Sequence, residues 1–240
     1  MKKIKIIFYL ILSLVFLCSV THADDYQVEY AGALKNFMWK GDISAKFSLH
    51  ELKGKKNLYA LGAFENLKGE IQMFNSVPYN TVASQGKLVF DTSFKKKASL
   101  LVYTQVSEWQ ESKIPEEVIS KKQLEEYIVK VAEQSGINIE KPFPFLIIGS
   151  AELIAWHVID WNPNDTKHTH RKHIESGPNG KLKNIKAAVL GFYSNKHTAI
   201  FTHHTTNLHM HFKTADKKIA GHIDELILGK NMLLKLPKIK

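Results

Sequence analysis

Cysteine is almost absent from this chain: Cys18 stands alone, inside an apolar run near the N-terminus. No disulfide can form within one chain from one thiol, and no set of thiolates can hold a metal, so any transition metal must rest on histidine and carboxylate. Arginine is just as scarce, Arg171 being the only one among 33 basic residues. Bidentate recognition of phosphate leans on arginine, and a nucleic-acid face needs its cations gathered with aromatics. Here the excess is lysine, scattered as residues 53–56, 95–97 and 121–122. The net charge of +10 therefore reads as a solvated basic surface, and no nucleic-acid partner is expected. Long apolar runs are missing as well, apart from one at the very start.

That run decides the expected compartment. Lys2, Lys3 and Lys5 precede an apolar stretch over residues 6–20, and Thr21-His22-Ala23 offers a small residue for cleavage before Asp24 and Asp25. The order basic, apolar, small is that of a secretory signal peptide, and the apolar part is short for a membrane span. Residues 1–23 are read as a signal peptide and 24–240 as one exported domain, periplasmic or secreted. No membrane partner is expected after cleavage.

Along the rest, no repeat or low-complexity tract stands out. Residues 45–49, 84–90 and 99–109 show the alternating or β-branched character of strands, with Gly54, Gly69, Gly86 and Pro78-Tyr79-Asn80 as turn residues between them. Ser120 with Gln123 forms a capping-box pattern, and Leu124, Ile128, Val131 and Ala132 then recur at helical spacing until Gly136. The pattern predicts one substantial helix, about 120–135, with an earlier helical turn at 115–117. Strands are expected at 145–148, 153–161, 187–193, 207–212 and 220–228, and a long loop at 162–183. The fold class is α+β, mostly antiparallel β-sheets in two packed subdomains, with a division near 115–140.

Twelve histidines remain to be placed, most of them in the last third. In Leu208-His209-Met210-His211-Phe212 two imidazoles are two residues apart, which on a strand puts them on one face. Residues 214–218 read as a turn, after which Gly221-His222-Ile223 begins a partner strand. Such a hairpin sets His222 across from His211, where cross-strand side chains lie about 5 Å apart. Three converging neutral imidazoles suit a tetrahedral zinc site with an open fourth position; three hydrogen-bonded polar side chains without a metal are the plainer reading of the same pattern. His168, His170 and His173 form a second group in the expected loop, as a metal site, a substrate lid or a solvated segment. Only one of His203 and His204 can share the pocket face.

Several blocks resemble alpha-acetolactate decarboxylases. Residues 61–71, Leu-Gly-Ala-Phe-Glu-Asn-Leu-Lys-Gly-Glu-Ile, are similar to that family's first block, and Val189-Leu190-Gly191-Phe192-Tyr193 to the strand before its metal motif. Leu208-His209-Met210-His211-Phe212 with Gly221-His222-Ile223 matches its zinc signature in residue type and spacing. The resemblance runs loosely from Tyr26 to Leu228 and implies zinc on His209, His211, His222 and Glu70. It also implies loss of carbon dioxide from 2-acetolactate to give acetoin, with zinc as Lewis acid and a positioned acid protonating the carbon. The family's arginine has no counterpart around residues 157–160, and its late glutamate is not matched after His222. His204 or His157 is expected to replace the lost proton donors beside Glu70.

The leading expectation is an exported Zn2+-dependent carboxy-lyase acting on (S)-2-acetolactate or a similar small 2-hydroxy-3-keto acid. Another metal-dependent reaction on the same scaffold, or an exported metal-binding protein without catalysis, are the alternatives. A homodimer is left open.

Overall fold

We describe the protein from a computed structural model, over residues 26–203 and 205–239. The expected signal segment and His204 lie outside the described residues. Among the described residues no helix is long and apolar enough to cross a membrane.

Two antiparallel sheets make up most of the molecule. The first contains β1 (Glu29–Ala31), β2 (Phe47–Ser48), β3 (Leu58–Phe64), β4 (Glu70–Phe74), β5 (Val77–Pro78), β6 (Asn80–Ser84), β7 (Lys87–Asp91) and β8 (Lys97–Gln105). Its order is β1-β8-β3-β4-β6-β7, with β2 beside β8 and β5 beside β4. The second sheet contains β9 (Trp109–Lys113), β10 (Phe143–His157), β11 (Asn179–Tyr193), β12 (Leu208–Thr214), β13 (Ala220–Ile227) and β14 (Leu233–Pro237). Its order is β11-β12-β13-β10-β14-β9, and β10 also pairs with β11 along its whole length, so β10 to β13 close into a ring. A short helix α1 (Leu34–Lys40) follows β1, α2 (Lys121–Gln134) joins β9 to β10, and α3 (His170–Glu175) lies between β10 and β11.

Side-chain parity explains the packing. On the first sheet Leu61 and Ala63 of β3 and Leu100 and Val102 of β8 belong to the main core, with Phe143, Phe145, Val189 and Phe212 of the second sheet. Their alternate neighbours Ala60, Ile71, Met73 and Leu101 join a smaller core under Leu49 and Leu52. Helix α2 begins on the expected capping box, with the Ser120 hydroxyl accepting from the Gln123 amide at 3.2 Å. Leu124, Ile128 and Ala132 are its buried stripe.

Several local expectations are corrected. The stretch 99–109 is not one strand, because β8 stops at Gln105 and β9 begins at Trp109 in the other sheet. The runs 145–148 and 153–161 are parts of a single strand, β10, that ends at His157. The expected loop 162–183 is shorter and contains α3, whose N-cap Thr169 accepts from the Lys172 amide, and β11 has begun by Asn179. Residues 115–117 form a turn, closed by the Val118 amide on the Pro115 carbonyl.

Candidate metal centre

The hairpin comes first, since it sets the spacing of the histidines. Thr214 ends β12, and its hydroxyl donates to Asp216 while accepting from the Lys218 and Ile219 amides. Lys217 takes a left-handed backbone (φ 59°), which reverses the chain. The resulting register places His211 directly opposite His222. On its other edge β13 pairs with β10, and there His222 lies opposite His157. One row of imidazoles thus crosses three strands, with His209 two residues along β12. Gly221 is required beside that row: a Cβ there would sit 2.6 Å from the His157 carbonyl oxygen.

His209, His211 and His222 form a triangle with ring centroids 5.1 to 5.2 Å apart. His211 Nε2 lies 3.3 Å from His209 Nε2 and 3.3 Å from His222 Nδ1. A tetrahedron with Zn–N bonds of about 2.05 Å separates its ligand atoms by about 3.3 Å, so the donors present fit zinc. Among the described residues this trio is the set of three metal-capable side chains that converges. Burial holds His209 down at about 3 and pushes His211 and His222 well below the ordinary imidazole value, neighbouring cations and rings adding to the effect. All three are neutral at pH 7, with lone pairs available.

The opposite sheet supplies the next layer. Glu70 and Gln72 share one face of β4 and point at the trio. Gln72 Oε1 sits 3.1 Å from His211 Nδ1, while its amide nitrogen donates to the Tyr79 carbonyl and to Thr81. An acceptor at Nδ1 fixes the proton there and leaves Nε2 facing the other histidines. Glu70 is buried, with Oε2 at 3.8 Å from His211 Nε2 and Oε1 at 3.8 Å from His157 Nε2. Oε1 also accepts from the Ile159 amide at 3.2 Å. Burial drives the Glu70 carboxyl up to about 8, against the opposing pull of His157 and of that amide.

His157 is the hub between carboxylates. Its Nδ1 lies 2.9 Å from Asp224 Oδ1, and Asp224 follows His222 by two residues on the same face of β13. Burial works against the imidazolium, but the Asp224 hydrogen bond and the charges of Glu70 and Asp224 outweigh it and raise the His157 pKa.

The remaining sequence candidates separate. His168 and His173 pair with each other at 3.0 Å, with Trp161 stacked on His168, and neither joins the trio. His170 reaches the rim of the site, 3.8 Å from Asp224, with its ring 5.5 Å from that of His203. Arg171 pairs with Glu175 on the exposed side of α3 and contributes nothing to the pocket. Three residues escaped the sequence reading: Gln72, Asp224 and Lys121. The first two sit two positions from Glu70 and His222, so strand alternation carried their signal; Lys121 had none.

The cavity over the trio has a volume of about 330 Å³. Its polar end carries Glu70, His157, His209 and His222, and Leu34, Phe37, Met38, Leu67 and Leu100 form an apolar wall. Such a site can hold a divalent cation, accept a small partly apolar ligand with oxygen donors, and move a proton through Glu70 and His157.

Comparison with known proteins agrees with this geometry. The sequence model of the alpha-acetolactate decarboxylase family matches residues 26–240. No curated protein sequence matches the chain. Among solved structures, acetolactate decarboxylase from Bacillus subtilis subspecies spizizenii superposes with a TM-score of 0.69 at 15% identity, covering 89% of this chain and 87% of that one. The alpha-acetolactate decarboxylase of Bacillus subtilis strain 168 gives 0.68 at 15% identity, covering 89% and 86%. A Staphylococcus aureus protein of unknown function, similar to alpha-acetolactate decarboxylase, gives 0.65 at 14%, also covering 89% and 86%. At these identities the structural likeness speaks for the fold; matched over nearly all of its described length, the chain belongs to the alpha-acetolactate decarboxylase family.

Proposed function

We propose that this protein is an exported, zinc-dependent carboxy-lyase that removes carbon dioxide from a small 2-hydroxy-3-keto acid of the acetolactate type, giving acetoin from (S)-2-acetolactate. The observation that carries the reading is the convergence of three imidazoles, with His211 Nε2 3.3 Å from a ring nitrogen of each of the other two and all three donor atoms within 4.8 Å of one another, beside a buried carboxyl that lines the same cavity. Residues 1–23, with their basic start, apolar run and small residue at the cut, support export.

His209, His211 and His222 would hold the zinc, with Glu70 within reach as a further ligand. When bound, the metal supplies a Lewis acid for the negative charge left when carbon dioxide departs. The bond to the carboxylate carbon breaks and its electron pair stays with the substrate carbon. One proton must then replace carbon dioxide there. Glu70 is the donor in this scheme, since its carboxyl is buried and lines the cavity beside the trio, 3.8 Å from His211 Nε2. His157, held by Asp224 and 3.8 Å from Glu70, returns a proton to it from solvent. His204 is a further candidate donor. The apolar wall takes the methyl groups and excludes water from the carbon being protonated.

Purified protein loaded with zinc should form acetoin from racemic acetolactate, and His209→Ala should form none. Zinc retained without acetoin above the His209→Ala control refutes this reading and points to a different substrate on the same scaffold.

A further inference from the structure

The reaction proposed above requires an anionic substrate, yet the pocket is lined by the carboxyl groups of Glu70 and Asp224 and by histidines. Among the cavity's described lining residues Lys121 is the one lysine or arginine. It also lines an outer groove with Glu125, Thr206 and Asp224, so it stands between solvent and the deep cavity.

Its position is fixed by the fold. The start of α2 is tied to β13, the strand that carries His222 and Asp224: Ser120 bridges to Ile227, and the Leu228 amide donates to the Ile119 carbonyl at 2.9 Å. Lys121 is then the first helical residue, at the end where the helix dipole disfavours a cation. It is half-buried, and among the described residues it makes no hydrogen bond or ion pair within contact distance. Two carboxylates that line the outer groove with it, Glu125 and Asp224, are already engaged. Glu125 takes the Thr206 hydroxyl and the Asn207 side-chain amide, each at 2.8 Å, and Asp224 takes His157. Lys121 lines the same cavity as His209 and His222, two of the proposed zinc ligands. A cation held at the wrong end of a helix, desolvated and without an ion partner, is a structural cost that an arriving anion would offset.

We infer that Lys121 is the carboxylate anchor of this site, selecting small 2-hydroxy carboxylates over neutral hydroxy ketones and diols of the same size. The inference rests on the proposed zinc site and names the ligand class that site takes. The ammonium donates to the carboxylate while the hydroxyl end points at the trio, and an anion there also lies off the N-terminus of a 14-residue helix.

Calorimetry on the zinc-loaded protein tests this with two stable probes, 2-hydroxyisobutyrate and its neutral amide. Lys121→Gln should weaken the anion by about tenfold or more, the range for a charge-assisted hydrogen bond, and leave the amide within about twofold. Lys121→Arg, which keeps the charge, should retain most of the preference. Equal binding of the anion by wild type and a folded, zinc-retaining Lys121→Gln overturns the inference, as does an equal loss for both probes. If no acetoin is formed but the anion preference disappears in Lys121→Gln, the anchor stands and the reaction does not. If acetoin is formed and Lys121→Gln leaves KM unchanged, the reaction stands and the anchor does not.

Discussion

Replacing Gln72 with leucine should weaken zinc binding without touching a ligand. In the wild type the fully buried Gln72 side chain accepts from His211 Nδ1 at 3.1 Å, which keeps Nε2 free for metal. In the metal-free Gln72→Leu protein, His211 can move its proton to Nε2 and share it with His209 or His222, 3.3 Å away. Once zinc occupies Nε2 the proton is forced onto Nδ1, where it faces leucine in a dry interior. The penalty therefore falls mainly on the metal-bound state. An unsatisfied buried donor costs roughly 1–3 kcal/mol. At about 1.4 kcal/mol per decade that is roughly a 5- to 150-fold rise in the zinc dissociation constant, which overlaps the range known for partners behind metal ligands. Competition against a chromophoric chelator at pH 7 reads this directly, at a temperature where circular dichroism shows both proteins folded. Removing only the outer support, with Thr81→Val, should have a smaller effect, because Gln72 keeps its contact with the Tyr79 carbonyl. A folded Gln72→Leu that binds zinc within twofold of wild type would refute the claim that Gln72 sets the His211 proton.

Glu70→Gln should keep most of the zinc affinity given by three histidines and lower acetoin formation by about 10²- to 10⁴-fold, the usual weight of a positioned acid; steady-state assay with metal analysis checks both, and an unimpaired rate would remove Glu70 from the chemistry. Acid should destabilise the metal-free protein: His209 and His173 are held at about 3 and His211 and His222 are also lowered, so below about 6.5 the unfolded chain binds protons the folded one refuses. Each contributes up to about 1.4 kcal/mol per pH unit, while Glu70, raised to about 8, opposes one of the four between about 4.5 and 8. Urea unfolding at pH 7, 6 and 5 should therefore lose several kcal/mol, and a flat profile would mean the rings are not held neutral.

The parts of the site that lie close in sequence were legible, and those assembled across the fold were not. His209, His211 and His222 follow from strand alternation and a five-residue turn, both local rules, and the register between His211 and His222 came out as expected. The helix 121–134 was legible for the same reason, its cap and stripe lying within one stretch of chain. β3 was invisible because all seven of its residues are buried, so two-sided burial erased the polar–apolar alternation that marks a strand. The outer half of β11 failed in the opposite way. Residues 179–186 are lysine-rich and follow Gly177 and Pro178, but pairing with β10, Gly180 against Trp156 and Leu182 against Ile154, makes them strand. α3 is six residues long, too short for periodicity, and stands on its Thr169 cap. The cavity is the hardest case: Glu70 from one sheet meets His157 and His211 from the other, and only the packing of the sheets brings them within 3.8 Å.

That arrangement also bears on how the chain manages without an arginine in the pocket. A dication, an anionic substrate and two carboxylates must share a dry space, and each charge needs a partner. Asp224 is matched by His157, whose pKa it raises, so the pair is neutral while His157 holds the proton it passes to Glu70. Glu70 is thereby freed from serving as the permanent counter-ion of His157 and can hold a proton of its own. The anchor inferred at Lys121 completes the balance, since it meets the charge of the carboxylate at the edge of the cavity. If that division holds, loss of Lys121 should appear mainly in KM and loss of Glu70 mainly in kcat. The two lie on different elements, α2 and β4.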